Sequence, residues 1–341
     1  MHYSEQTTMK YFYGSLVLTA LALITAFYLG GVGAVVVVAV LAVLETSLSF
    51  DNAIVNASVL AGWDARWRKA FLWVGLPIAV FGMRFFFPIL IVSLAASIGM
   101  AEAVSLALND SAEYARILLG VHHQIAAFGG MFLLLVAFEF FIDEEKKHHW
   151  LPPVERMLAR LGTYQKAVGT GIALTILMVI ATALHGAEQA EFIIAGVYGV
   201  IVYIGVKFVG QLFGGAEGAA SNKVAQGIGG FMYLEILDAS FSFDGVIGAF
   251  AITHQLLLIM LGLMVGAIFV RSFTIYLTEQ GTLAKYRYLE HGAFWAILTL
   301  ALIMFLEVRV DIPDVVTGLL GAALIALSLI SSMRANRRER H

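Results

Sequence analysis

Between Val32 and Leu60 the chain runs for 29 residues without a single Lys or Arg. At about 1.5 Å per residue, a helix of that length exceeds the roughly 30 Å hydrocarbon core of a bilayer. Inside the run stands E-T-S-L-S-F-D-N, residues 45 to 52, which places two carboxylates and an amide at membrane depth. Each ionised Asp at the centre of a lipid-exposed helix costs about 2.5–3.5 kcal/mol on insertion scales. These groups must therefore face the interior of a bundle, paired, protonated or bound to an ion. The remaining sequence leaves no soluble alternative: 60% of it is hydrophobic and 13% charged, against about a quarter charged in a soluble domain.

Several further apolar runs exceed eighteen residues, so the expected class is all-α, a polytopic transmembrane helix bundle rather than a barrel. Ten spans are expected, at roughly 11–29, 32–60, 70–96, 117–142, 167–184, 190–213, 225–253, 256–277, 293–306 and 315–333. The count falls to nine if the joint at 187–191, interrupted by Glu188 and Glu191, is not a loop. With the N-terminus in the cytoplasm, ten spans put 17 of the 21 Lys and Arg on the inner side, which follows the positive-inside rule. Both termini are then cytoplasmic. There is no cysteine, so disulfides and thiolate metal sites are excluded. No phosphate-cradling loop, HExxH motif or basic nucleic-acid surface occurs, and no nucleophile–base constellation points to an enzyme.

The acidic stretch returns as D-A-S-F-S-F-D-G at residues 238 to 245, so that Glu45 matches Asp238 and Asp51 matches Asp244, each 193 residues on. Arg84 and Arg271 each lie one expected span after a motif, and His123–Glu139 and His291–Glu307 share a spacing of sixteen. Matched spans are five apart, an odd number, so the copies are expected to form an inverted-topology repeat. The division expected is 1–166, the first membrane repeat with its cytoplasmic loop, and 167–341, the second repeat with a basic tail. A break between Glu45 and Asp51 would bring both acids toward one centre, the motif serines satisfying freed backbone groups. Glu235 stands one turn before Asp238, on the same helical face.

Carboxylate, amide and hydroxyl oxygens suit a hard divalent cation such as manganese, magnesium or calcium. The expected ligands are Glu45, Asp51, Asn52, Glu235, Asp238 and Asp244, with Arg84 and Arg271 balancing charge. Crowded carboxylates also hold protons in some states, which makes protons a possible counter-ion. The bland alternative for the acids is a set of buried pairs that hold helices together. Asn56 reads as interhelical glue ahead of a ligand. His122, His123, His185 and His254 read as wetted interfacial residues, and His148 and His149 as part of a solvated loop.

At these two motifs the sequence resembles the TerC-like integral membrane proteins, in particular a subgroup known only as a domain of unknown function, and more distantly the LysE superfamily of two-repeat exporters. The resemblance implies a metal path through Glu45, Asp51, Asn52, Asp238 and Asp244, with manganese(II) export as the activity; Glu235 comes from helical geometry alone. The expected protein is a cell-membrane, multi-pass divalent cation transporter, with no resident cofactor and with manganese, alternatively calcium, as substrate. Its expected partners are the lipid bilayer, the cation and protons. The alternative is a non-transporting membrane partner protein of a metal- or tellurite-stress envelope complex.

Overall fold

At Gly30 the backbone leaves helical geometry (φ −159°, ψ 20°), and at Gly31 it takes a positive φ of 66° with ψ −153°, a conformation open to glycine and costly for a residue with a Cβ. Helix α1 (His2–Leu48) is therefore two arms that reverse on each other. Ala22 and Ala42 share one apolar cluster, and Ala26, Ala34 and Val38 share another. The computed structural model describes residues 2–339 except positions 76, 144, 145, 147, 163–167, 214–226 and 311. Side chains are not described at 2–8, 72, 162, 211, 213, 243, 244, 251 and 314. The expectations for Lys147, Lys166, Lys223, Arg340 and the glycines at 214 and 215 lie outside the described residues.

A one-residue turn at Ser49 (φ −98°, ψ 16°) separates α1 from α2 (Phe50–Ala61). The short α3 (Ala65–Ala70) is capped by Asp64, whose Oδ1 accepts from the Trp67 N–H at 3.0 Å. Two π-helical stretches, Phe71–Gly75 and Ile78–Phe86, lead into α4 (Phe87–Ala95). Pro77 stands between them and lacks the N–H an α-turn would use, and wider turns of this kind favour functional sites. The segment from 97 to 116, expected as a loop, holds α5 (Met100–Asn109) and the start of α6 (Ser111–Gly120). It folds because Ala103, Ala107, Tyr114, Ala115 and Leu118 are buried in one cluster with Ile89 and Val92 of α4. The chain continues through α7 (His122–Ile142), α8 (Pro152–Gly162), α9 (Val168–Ala181), α10 (Ala187–Phe213) and α11 (Ile228–Ile252). It ends with α12 (Leu256–Glu279), α13 (Thr282–Lys285), α14 (Leu289–Leu306) and α15 (Asp314–Arg338). Helices are the regular elements of the described residues, which contain no strand.

Seven helices among the described residues are long and apolar enough to cross a membrane, the first running from Met9 to Leu48. This is a membrane protein of helices, as expected. Side-chain contacts fix the relative directions. Tyr11 donates to Glu279 at 2.7 Å and the Ser15 and Ser272 hydroxyls pair at 2.6 Å, so the first arm of α1 runs antiparallel to α12. The second arm, with Leu41 at Gly262 and Glu45 at Gly266, runs parallel to it. Helices α7 and α14 are antiparallel: His122 meets Glu307 at 3.8 Å at one end, and Phe140 stacks on Phe294 at 3.8 Å near the other. Helices α7 and α10 are parallel, with Gln124 bonded to Glu191 and Tyr203 bonded to Glu139.

The chain turns between α9 and α10 at 182–186, with Gly186 at φ 64°, so the expected joint at 187–191 is already helical. Gln189 Nε2 reaches back to the Ala181 carbonyl at 3.0 Å, and Leu177 lies against Gly196, which makes α9 and α10 an antiparallel pair.

Candidate functional site

The two acidic motifs meet, and they meet in opposite directions. Asn52 Nδ2 donates to Asp238 Oδ1. At the other end of the crossing, Glu45 Oε2 lies so close to Gly245 that a Cβ there would stand 2.5 Å from it. Gly266 of α12 closes the other side, since a Cβ at that position would strike Glu45 Cβ and Cγ. Two glycines thus make room for one buried glutamate, which is 2% exposed.

Arg84 lies between the motifs. Its Nη2 donates to Glu45 Oε1 at 2.5 Å, its Nη1 donates to the Ala79 carbonyl at 2.8 Å, and Asp238 Oδ2 is 3.8 Å from Nη1. The π-helical turn carries both Arg84 and the Ala79 carbonyl that holds it. Ser49, at the turn between α1 and α2, donates to the same Glu45 Oε1 at 3.3 Å. Arg84 thus lies against one acid from each motif.

The other acids have different surroundings. Asp51 is 5% exposed and accepts from the Asn52 N–H at 2.9 Å. It borders a cavity of about 30 Å³ together with Glu45, Ser49, Gly245 and Thr317. Glu235 is buried beside Gly75, where a Cβ would collide with its Oε1 and meet Arg271 Nη2 at 3.0 Å. The Arg271 guanidinium also lies 4.4 Å from the centroid of the Phe71 ring, within cation–π range. Glu235 and Asp238 share a helical face, Asp238 lying nearer Arg84 and Glu235 beside Gly75 with Arg271 close by. The side chain of Asp244, the remaining expected ligand, lies outside the described residues.

Buried polar atoms without a hydrogen-bond partner gather in this core, the donors Arg84 Nε and Ser242 Oγ among them. Asn52 Oδ1, Asn56 Oδ1, Asp238 Oδ2 and both oxygens of Glu235 are buried without a hydrogen-bond partner. The five acids Glu45, Asp51, Glu235, Asp238 and Asp244 and the two arginines carry a formal balance of −3. No three His, Asp or Glu side chains converge to chelate one ion among the described residues; Arg84 occupies the gap between Glu45 and Asp238. The second motif lies in the unbroken α11, whereas the first is divided at Ser49, so the expected break occurs in one copy.

A family model described as "Protein of unknown function (DUF475)" matches residues 50–339. The chain belongs to that family. The match takes in Asp51, Asn52, Arg84, Glu235, Asp238 and Arg271 and begins five residues after Glu45. No match was found among curated proteins or among solved structures.

Two features of the structure lay outside the sequence reasoning. Thr317 of α15 borders the Asp51 cavity. Glu155 of α8 is 1% exposed and accepts from Trp295 Nε1 at 3.0 Å and from the backbone N–H of Trp150 and Leu151, with His291 Nδ1 at 2.9 Å. His149, expected in a solvated loop, sits 3.5 Å from the same carboxylate, so that expectation is corrected. A buried acceptor attracts every donor within reach, and the amphipathic α8 supplies the acceptor.

Proposed function

We propose that this protein carries a hard divalent cation across the cell membrane, with manganese(II) as the first ion to test, calcium as the alternative and protons as the counter-ion. The observation that carries the reading is the surplus of buried acceptors where the motifs cross. Glu45, Asp51, Glu235, Asp238 and Asp244 against Arg84 and Arg271 give a formal −3, which one divalent ion brings to −1 and a proton cancels. Unpartnered buried acceptors are costly unless a cation or proton supplies what the protein withholds. Oxygen-only donors suit such an ion.

In this reading the protein has ten spans: the two arms of α1 (the second with α2), the segment from α3 to α4, then α7, α9, α10, α11, α12, α14 and α15. Both termini are cytoplasmic. The two motif contacts support an inverted repeat. Adding 193 to residue 45 gives 238, and adding it to 52 gives 245. The contact between Glu45 and Gly245 therefore exchanges with the contact between Asp238 and Asn52, as a pseudo-two-fold axis requires. Alternating access would then rock the helices about this axis, with Arg84 giving up Glu45 as the ion takes it.

One observation favours the non-transporting membrane partner instead: Arg84 already neutralises part of the charge in a well-formed buried pair. Titration calorimetry of purified protein with Mn²⁺, Ca²⁺ and Mg²⁺ separates the readings. Binding that weakens at least tenfold in both Asp51→Asn and Asp238→Asn supports an ion site. Unchanged heats in wild type and variants support the structural partner.

A further inference from the structure

The acidic core divides at Glu45 into two compartments, and the second has an oxygen donor that neither motif contributes. On one side of Glu45, Oε1 is taken by Arg84 and Ser49. On the other, Oε2 is turned toward Gly245, which borders the small cavity shared with Asp51. That cavity measures about 30 Å³, and a single water needs roughly 10–15 Å³ on this measure. It has room for one ion with little of its hydration shell.

The far wall is α15, through Thr317, Gly318 and Gly321. Thr317 is 8% exposed and its Oγ1 has no hydrogen-bond partner. That is unusual for a helical threonine, and this chain shows the contrast. Thr19, Thr46, Thr274, Thr278 and Thr299 each donate to the carbonyl one turn back. For Thr317 the corresponding carbonyl belongs to Pro313, the extended N-cap of α15, and it accepts from the Val316 N–H at 2.8 Å. The hydroxyl therefore has no partner on its own helix, on a residue that lines the cavity. A buried hydroxyl without a partner forfeits about 1–3 kcal/mol unless something in the site coordinates it.

We propose that Glu45, Asp51 and Thr317 form a discrete binding position for a largely dehydrated hard divalent cation, with Thr317 Oγ1 as a neutral ligand. The proposal rests on the cation reading of the acidic core and locates the ion within it, on the α15 side and away from Arg84. Two carboxylates give the −2 that matches one divalent ion, and the hydroxyl adds a ligand without adding charge. Glu45 belongs to both compartments, so filling this position competes with the ion pair to Arg84.

The test compares Thr317→Val, Thr317→Ser and Asp51→Asn with the wild type. Mn²⁺ binding to full-length protein in detergent is followed by calorimetry and by the room-temperature paramagnetic resonance signal of free Mn²⁺. Valine keeps the shape of threonine and removes only the oxygen, and serine restores it. Thr317→Val is expected to weaken Mn²⁺ binding about tenfold or more, Thr317→Ser to stay within about threefold of wild type, and Asp51→Asn to bind weakly. Thermal unfolding without metal checks that the valine variant is folded. If wild type binds and Asp51→Asn loses affinity while Thr317→Val binds like wild type, the position proposed for Thr317 is wrong and the cation reading survives. If the wild type binds no divalent cation, both fall together.

Discussion

Without its guanidinium, Arg84 would leave Glu45 and Asp238 as buried carboxylates whose nearest cation is gone. Breaking a buried pair by removing one partner costs about 3–5 kcal/mol. Arg84→Met should therefore lower the midpoint of thermal unfolding sharply in metal-free detergent solution. If the guanidinium and the cation compete for Glu45, Mn²⁺ should raise the midpoint of this variant more than that of wild type. An equal metal response in both proteins would remove the competition between Arg84 and the ion. At this scale the sequence was partly legible. Glu45, Asp238, Arg84 and Asn52 are unusual residues in apolar surroundings, so burial cost alone marks them, and the structure brings them together. Thr317 carries no such mark, because a threonine in a membrane helix normally satisfies itself on its own backbone. Only the packing of α15 over the first motif gives it a different role.

Helix α8 shows how a short amphipathic element is tied to the bundle. Burial alone would raise the Glu155 carboxyl, but hydrogen bonds from His291 and Trp295, the charge of His291 and the Leu151 N–H outweigh it and hold the pKa at about 2. An unperturbed Glu titrates near 4.3. The folded value is depressed, so the carboxylate contributes its stabilisation in full above about pH 5 and loses it as pH falls toward 2. Docking of α8 should follow that course, read from the fluorescence of Trp295 in a chain whose other four tryptophans are phenylalanine. Glu155→Gln should weaken docking at pH 7 by about 1–3 kcal/mol and remove the acid dependence. A Trp295 signal that stays flat from pH 6 to pH 2.5 in the parent protein would show that the carboxylate does not hold α8. The sequence shows α8 only as part of a charged loop, since a single glutamate in an eleven-residue amphipathic stretch reads as a solvated face. The reversal at Gly30–Gly31, by contrast, was legible, because two adjacent glycines divide an apolar run too long for one crossing. The π-helical turns were not, since nothing local distinguishes them from an α-helix beyond Pro77.

For the whole molecule the question is whether the helix directions amount to an inverted repeat. Expected spans 1 and 8, 2 and 7, and 4 and 9 should oppose each other, and spans 2 and 8, and 4 and 6, should agree. The arms of α1 against α12, the crossing of the motifs, and the pairs of α7 with α14 and α10 all have those directions. The long apolar helices were legible because their hydrophobic runs exceed eighteen residues. The two helices α5 and α6 were not, because a short amphipathic helix outside the membrane resembles a polar loop. The expected alternation of spans leads to a labelling experiment that the absence of cysteine makes clean. A single cysteine at Ser111 in α6 or Glu188 in α10 should react with an impermeant thiol reagent in intact cells. One at Arg160 in α8 or Asn336 in α15 should react only after the membrane is opened. Each site is exposed or half-buried, so failure to label reports the side of the membrane rather than burial. On the ten-span reading, Ser111 and Arg160 are separated by one crossing, α7, and Arg160 and Glu188 by one more, α9. Labelling of Ser111 and Arg160 from the same side would overturn the crossing by α7. If Arg160→Cys and Glu188→Cys share a side, α9 does not cross, the count becomes odd, and the two acidic motifs lose the opposed orientation on which a shared site at a two-fold axis depends.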